Sequence, residues 1–143
     1  MKRMFLALLA FSVAFSTPAL ARDDRLQFDL EPFLSSEKAK SALLDVPLYF
    51  AGQSYPEVKS SYGNVSTNKK TNAFNKSDQE ACEWVMLSAL KQLQERALRE
   101  GMNAVVNIKS NYKHKEFASS EKFECGAGNI IAGVALKADL VKI

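Results

Sequence analysis

The spacing of hydrophobic and polar positions changes period once between Ser77 and Ile108. Cys82, Met86, Ala89, Leu90, Leu93 and Ala97 recur at steps of three and four, which predicts one apolar helical face. Glu83, Lys91, Gln94, Glu95, Arg99 and Glu100 fall on the other side. Ser77-Asp78-Gln79-Glu80 reads as a capping box, with Asp78 and Glu80 at the positive end of the helix dipole. Gly101 supplies a stop. Asn103 to Ile108 then alternates, which predicts a strand with Ala104, Val106 and Ile108 towards a core. Trp84, Val85 and Leu87 widen the apolar side of the helix. Deep burial under the N-terminal segment and a partner or oligomer contact both fit them.

On either side the pattern is shorter. Arg22 to Asp24 is charged and expected to fray. Arg25 to Leu30 alternates, as a strand or an arm on the core, and Pro32 ends it. Ser35 or Ser36 is placed to cap a short helix running to Leu44, and Pro47 stops it. Leu48 to Ala51 is a strand candidate. Gly52 to Lys76 is rich in Ser, Asn, Thr, Lys and Gly. Val58 and Tyr62 suggest one helical turn there. A strand is expected at Gly63 to Thr67 and a polar loop at Asn68 to Asn72. After the central pair, Lys109 to Lys115 continues the strand into a basic tip. Glu121 to Cys125 alternates and suits antiparallel pairing with that preceding strand. Gly126 to Asn129 reads as a link. Ile130 to Ile143 is a long strand with Ile130, Ala132, Val134, Leu136, Ala138 and Leu140 on one face.

The N-terminus changes the picture of the whole. Met1 to Met4 is basic, Phe5 to Phe15 is apolar, and Ala19-Leu20-Ala21 ends in small residues. This predicts a secretory signal peptide cleaved after Ala21. The apolar run is short of the ~20 residues a membrane span requires, and no Cys follows it to take a lipid anchor. Of 143 residues, 122 follow the predicted cleavage site, enough for one domain over 22–143. Losing Lys2 and Arg3 from 19 basic side chains leaves 17 against 16 acidic ones. A near-neutral exported chain does not have the charge balance of a nucleic-acid binder.

Catalytic chemistry finds little to stand on. His114 is the single histidine, flanked by Lys113 and Lys115. No G-x-S-x-G or phosphate-binding P-loop is present. Gly126-Ala127-Gly128 lacks the third glycine and the following helix that a dinucleotide loop needs. Cys82 and Cys125 are the only cysteines. An even count in an exported chain points to a disulfide, with reactive or metal-binding thiols as the other reading. No metal ligand set and no cofactor is expected. Lys69 and Lys70, with Lys113, His114 and Lys115, form two basic clusters. If neighbours, they would make one patch suited to an anionic envelope surface, lipid headgroup or polysaccharide; otherwise they are solvated.

Cys82 at the helix start, Met102-Asn103-Ala104-Val105-Val106, Cys125, and Ala132-Gly133-Val134-Ala135-Leu136 resemble the pattern of the YbjQ/RcsF-type fold. The likeness covers Ser77 to Leu136. Three strands in a row after a long helix suggest a helix packed on one face of an antiparallel sheet, an α+β layout. The resemblance implies the same fold, one long helix on a mainly antiparallel sheet, here with an N-terminal strand and short-helix extension. It also matches Cys82 and Cys125 to two bonded cysteines of the RcsF type, whereas Ile131 stands where that type has a further cysteine. Small exported proteins of unknown role, some labelled "excinuclease ATPase subunit", resemble the chain further. The resulting expectation is a soluble periplasmic binding or interaction protein, not an enzyme, whose partner is an envelope protein or an anionic envelope surface. A homo-oligomer is compatible with it. The alternative is a metal- or small-ligand binder of the YbjQ type.

Overall fold

The computed structural model describes Ala14 and residues 22–143. The predicted leader and the cleavage expected after Ala21 otherwise lie outside the described residues. In chain order the elements are β1 (Asp24–Asp29), α1 (Leu30–Leu34), α2 (Glu37–Ala42), β2 (Leu48–Phe50), β3 (Ser60–Asn72) and α3 (Asp78–Arg99). After them come β4 (Ala104–Ser110), a 3-10 turn (Tyr112–His114), β5 (Lys122–Ala127) and β6 (Ile131–Lys142). The fold is α+β: one long helix on a six-stranded, mostly antiparallel sheet.

β6 is the spine of the sheet. Its whole length pairs antiparallel with β3, from Ser60↔Lys142 to Asn72↔Ile131. Its other flank is shared. β5 takes the start, through Gly126↔Gly133 and Ala127↔Ala132. β4 takes the end, from Ala104↔Val141 to Ser110↔Leu136. β1 extends the sheet beyond β5, and β2 runs parallel outside β4. The expected pairing of Glu121–Cys125 with the strand before it does not form. β5 lies between β1 and β6 instead, because Leu26 and Phe28 of β1 meet Cys125 and Phe123 in register. The Phe28 and Phe33 rings lie 5.5 and 4.9 Å from Phe123.

α3 forms where the spacing predicts. Ser77 caps it, its hydroxyl accepting from the Glu80 amide at 3.1 Å. Its buried side holds Val85, Met86, Leu87, Leu90 and Leu93 against Ala132, Val134, Leu136, Ala138 and Leu140 of β6. The alanines keep that sheet face low, so the helix can approach closely. Trp84 remains 44% exposed, while Val85 and Leu87 are buried. Cys82 and Cys125 are fully buried and bonded, with Cα atoms 5.8 Å apart.

Several local expectations are corrected. β3 runs through the stretch read as a helical turn and a polar loop. Its Ser, Asn, Thr and Lys residues look like loop because only Val65 and Thr67 of the strand reach the helix side with substantial burial. The Ser35–Leu44 helix is shorter, with Ser36 capping α2 and Leu43 already extended. Pro32 sits in the first turn of α1, where a missing amide proton costs nothing. In β4 the alternation breaks at Asn107, whose φ is +53°. Val105 and Ile108 therefore face α3, while Ala104 and Val106 join Val141 on the opposite face. Leu48↔Val105 and Phe50↔Ile108 in β2 show the same extra residue.

Gln94 is the sharpest departure. Its place in the sequence pattern is the polar side of the helix, yet it is 1% exposed. Its amide nitrogen donates to the Leu44 and Val46 carbonyls at 3.0 and 2.8 Å, and its oxygen accepts from the Leu44 amide at 2.8 Å. One side chain thus satisfies three backbone groups of the segment that leads into β2.

Two outcomes follow from these contacts. Replacing both cysteines by alanine frees a loop of about 44 residues, worth about 4 kcal/mol in the chain-entropy account. The melting temperature should fall by on the order of 10 °C, and an unchanged calorimetric trace would refute the clamp. Gln94→Leu keeps the volume but strands three backbone groups, two part-buried on Leu44 and one buried on Val46. Its expected cost is on the order of 3 kcal/mol in urea unfolding; a loss close to zero would show that water reaches them.

Candidate functional site

The face of the sheet opposite α3 carries the site. Residues of β3 alternate across the sheet. Thr67, which hydrogen-bonds Gln92 of α3, and Lys69 point to the helix side. Ser66, Asn68 and Lys70 point to the open side, where the Lys70 stem lies 3.7 Å from the position of a Cβ on Gly133. Beside them the 3-10 turn lays the Tyr112 ring on two glycines. A Cβ on Gly126 would stand 2.0 Å from that ring, and one on Gly133 would stand 3.4 Å away. Gly126, the first residue of the stretch that superficially suggests a nucleotide loop, and Gly133 in β6 are spaces for Tyr112.

The turn itself is held in an unusual backbone state. Lys113 and His114 have φ of +52° and +61°, where a side chain costs on the order of 1 kcal/mol per residue. The N-terminal arm fixes it. Tyr112 Oη donates to Asp23 at 2.8 Å, and the Lys113 ammonium pairs with the same carboxylate. Arg25 donates to the Tyr112 carbonyl at 2.6 Å, stacks 5.4 Å from the ring centre, and pairs with the buried Glu124 at 2.8 Å. Arg22 is likewise tied, to Asp24 at 2.8 Å and to Asp78 at the start of α3. The expected fraying of Arg22–Asp24 therefore does not occur.

Burial, and then the hydrogen bond to Asp23, push the Tyr112 hydroxyl up to about 12. Lys113, and then Tyr112, hold the Asp23 carboxyl below the usual range. Between β3 and the turn lies an open cavity of about 580 Å³. Lys70, Lys113 and His114 line it, with Ser66, Asn68 and Asn111. Its remaining lining is Thr67, Tyr112, Ala135 and Leu136, so no carboxylate takes part. The polar lining offers cations and hydrogen-bond donors, which is chemistry for an anion.

Of the basic residues singled out from sequence, the fold brings together Lys70, Lys113 and His114. It does not bring in Lys69, on the other face of β3, or Lys115, which lies outside the cavity lining. Ser66, Asn68, Asn111 and Tyr112 were missed; the signal was the glycine pair Gly126 and Gly133, whose register Gly126↔Gly133 marks a close approach. Among the described residues no three His, Cys, Asp or Glu side chains gather as a metal group, and no helix is long and apolar enough to cross a membrane. No family model matches the chain, nor does any curated protein or solved structure.

The Tyr112–Asp23 contact sets a pH signature. A raised phenol favours the folded state while protonated, so its contribution is complete below about 10 and is lost as pH rises through about 12. In an ultraviolet titration of the tyrosines one should ionise late, near 12. Asp23→Asn should bring it down and Tyr112→Phe should delete it. A late tyrosine unaffected by both changes would refute the assignment.

Proposed function

We propose that the chain is a non-enzymatic binding protein of the bacterial-type periplasm, exported by its N-terminal leader, with a fold of the YbjQ/RcsF type. Its ligand is an anionic group, phosphate or carboxylate, displayed by an envelope surface. The observation that carries this reading is the convergence of Lys70, Lys113 and His114, with the Asn68 and Asn111 amides, on one cavity free of carboxylates. Lys113 shares its charge with Asp23, which leaves Lys70 as the principal cation offered to a ligand. The strained turn at Lys113 and His114 supports the same reading. Backbone held in a costly state by several independent contacts is a hallmark of binding sites. The buried disulfide fits an oxidising compartment.

The anion has two natural sources, a lipid headgroup and an acidic polysaccharide, and binding assays can separate them. Vesicles of phosphatidylglycerol in phosphatidylcholine form one arm, and a soluble polyuronate or phosphorylated glycan forms the other. Binding is expected in one arm, weakening with salt. Lys70→Glu should reduce it about five- to tenfold, and Lys115→Glu should leave it nearly unchanged. Binding in neither arm, or equal losses from Lys70→Glu and Lys115→Glu, would overturn the proposal.

A further inference from the structure

β3 pairs with β6 along its 13 residues, and no strand among the described residues pairs with its outer edge. Such an edge is long beside the usual five or six residues of a strand, and it presents a row of free amide and carbonyl groups that template another strand. Its ends are blunted. The register shifts between Ser61 and Gly63, a bulge that admits Tyr62 as an extra residue. Lys69 and Lys70 charge the other end. Between them lies a regular window, Gly63 to Lys69.

Within that window Asn64-Val65-Ser66-Thr67-Asn68 reads nearly the same in both directions. Val and Thr are both β-branched and similar in shape. We infer that this edge pairs antiparallel with the same edge of a second copy, about a two-fold axis at Ser66. That register sets Ser66 beside Ser66, Val65 beside Thr67, Asn64 beside Asn68, and Gly63 beside Lys69. No lysine faces a lysine, which would be destabilising. The side chains are already committed to their faces. Asn64 donates to Asp139 at 3.0 Å, and Thr67 bonds Gln92. Only the backbone edge is left to be satisfied, as in an isologous contact that uses one surface twice.

The geometry has room for it. The two-fold axis of an antiparallel pair stands normal to the sheet, so both copies of α3 lie on one face. α3 packs over β3 and β6. With strands about 4.8 Å apart, the two helices would stand about 10–14 Å apart, at or beyond the 8–10 Å of packed helices. On the opposite face the two cavities, each lined by Ser66 and Asn68, meet at the seam. The pairing rests on strand geometry and does not depend on what the cavity binds.

Sedimentation equilibrium on the leader-free protein tests it, with circular dichroism to check the fold of each variant. The wild type should sediment as a dimer. Ser66→Lys and Ser66→Glu, at an exposed position, should each give monomers by setting like charges together on the axis. Their equimolar mixture should restore the dimer. A wild type that stays monomeric up to about 1 mM, where even a weak complex would show, overturns the inference. So does a dimer that survives either substitution, or a mixture that stays monomeric.

Discussion

The structure depends on the contact between the apolar side of α3 and the alternating inner face of β6. Ala132, Val134, Leu136, Ala138 and Leu140 give the helix a low, continuous bed, and Met86, Leu90 and Leu93 fill it. Burial at about 25 cal/mol per Å² of apolar surface makes this the dominant favourable term. The Cys82–Cys125 bond ties the beginning of the helix to β5, the strand that flanks the start of β6. Everything peripheral is attached to that unit. β3 lies along β6, and β1 holds β5. The α2–β2 connection hangs from Gln94, which lies on the buried side of α3.

The open face follows from how β6 divides its second flank. β5 takes two residue pairs at Ala132 and Gly133, and β4 takes Leu136 to Val141, so the chain between them must leave the sheet and return. That excursion carries the Asn111–His114 segment onto the open face. Gly126 and Gly133, adjacent in register, leave the depression in which the Tyr112 ring rests. Asp23, Arg25 and Glu124 lock the segment from the β1 side, and β3 supplies the opposite wall. The cavity is therefore assembled from the middle of β3, the turn and β6, whose residues are far apart in sequence.

Much of this frame was legible before folding. The helix, its Ser77 cap, the long final strand and the buried face of β6 are all carried by periodicity, which local geometry imposes on any amphipathic element. The cysteine pair was legible from the count and from the predicted leader. Less legible were elements whose side chains do not alternate in polarity. β3 is polar on both faces because it is an edge strand with a solvated outer face, and its composition resembles loop for that reason. β4 defeated a period-two reading because Asn107 inserts one extra residue and exchanges the faces of its neighbours. Gln94 was assigned to water because its type is polar; the unmatched backbone of Leu44 and Val46 is what draws it inward.

The sequence by itself determined the class of fold, the long helix, the spine strand and the identity of the bonded cysteines, because each rests on local spacing or on a count. Only the tertiary structure decided that Lys70 meets Lys113 and His114 while Lys69 and Lys115 stand apart. Whether a basic residue joins a site depends on strand register and on the path of a turn. A shift of one residue sends a side chain to the other face, as Lys69 and Lys70 show. Those relations lie in long-range pairing, which no local pattern records.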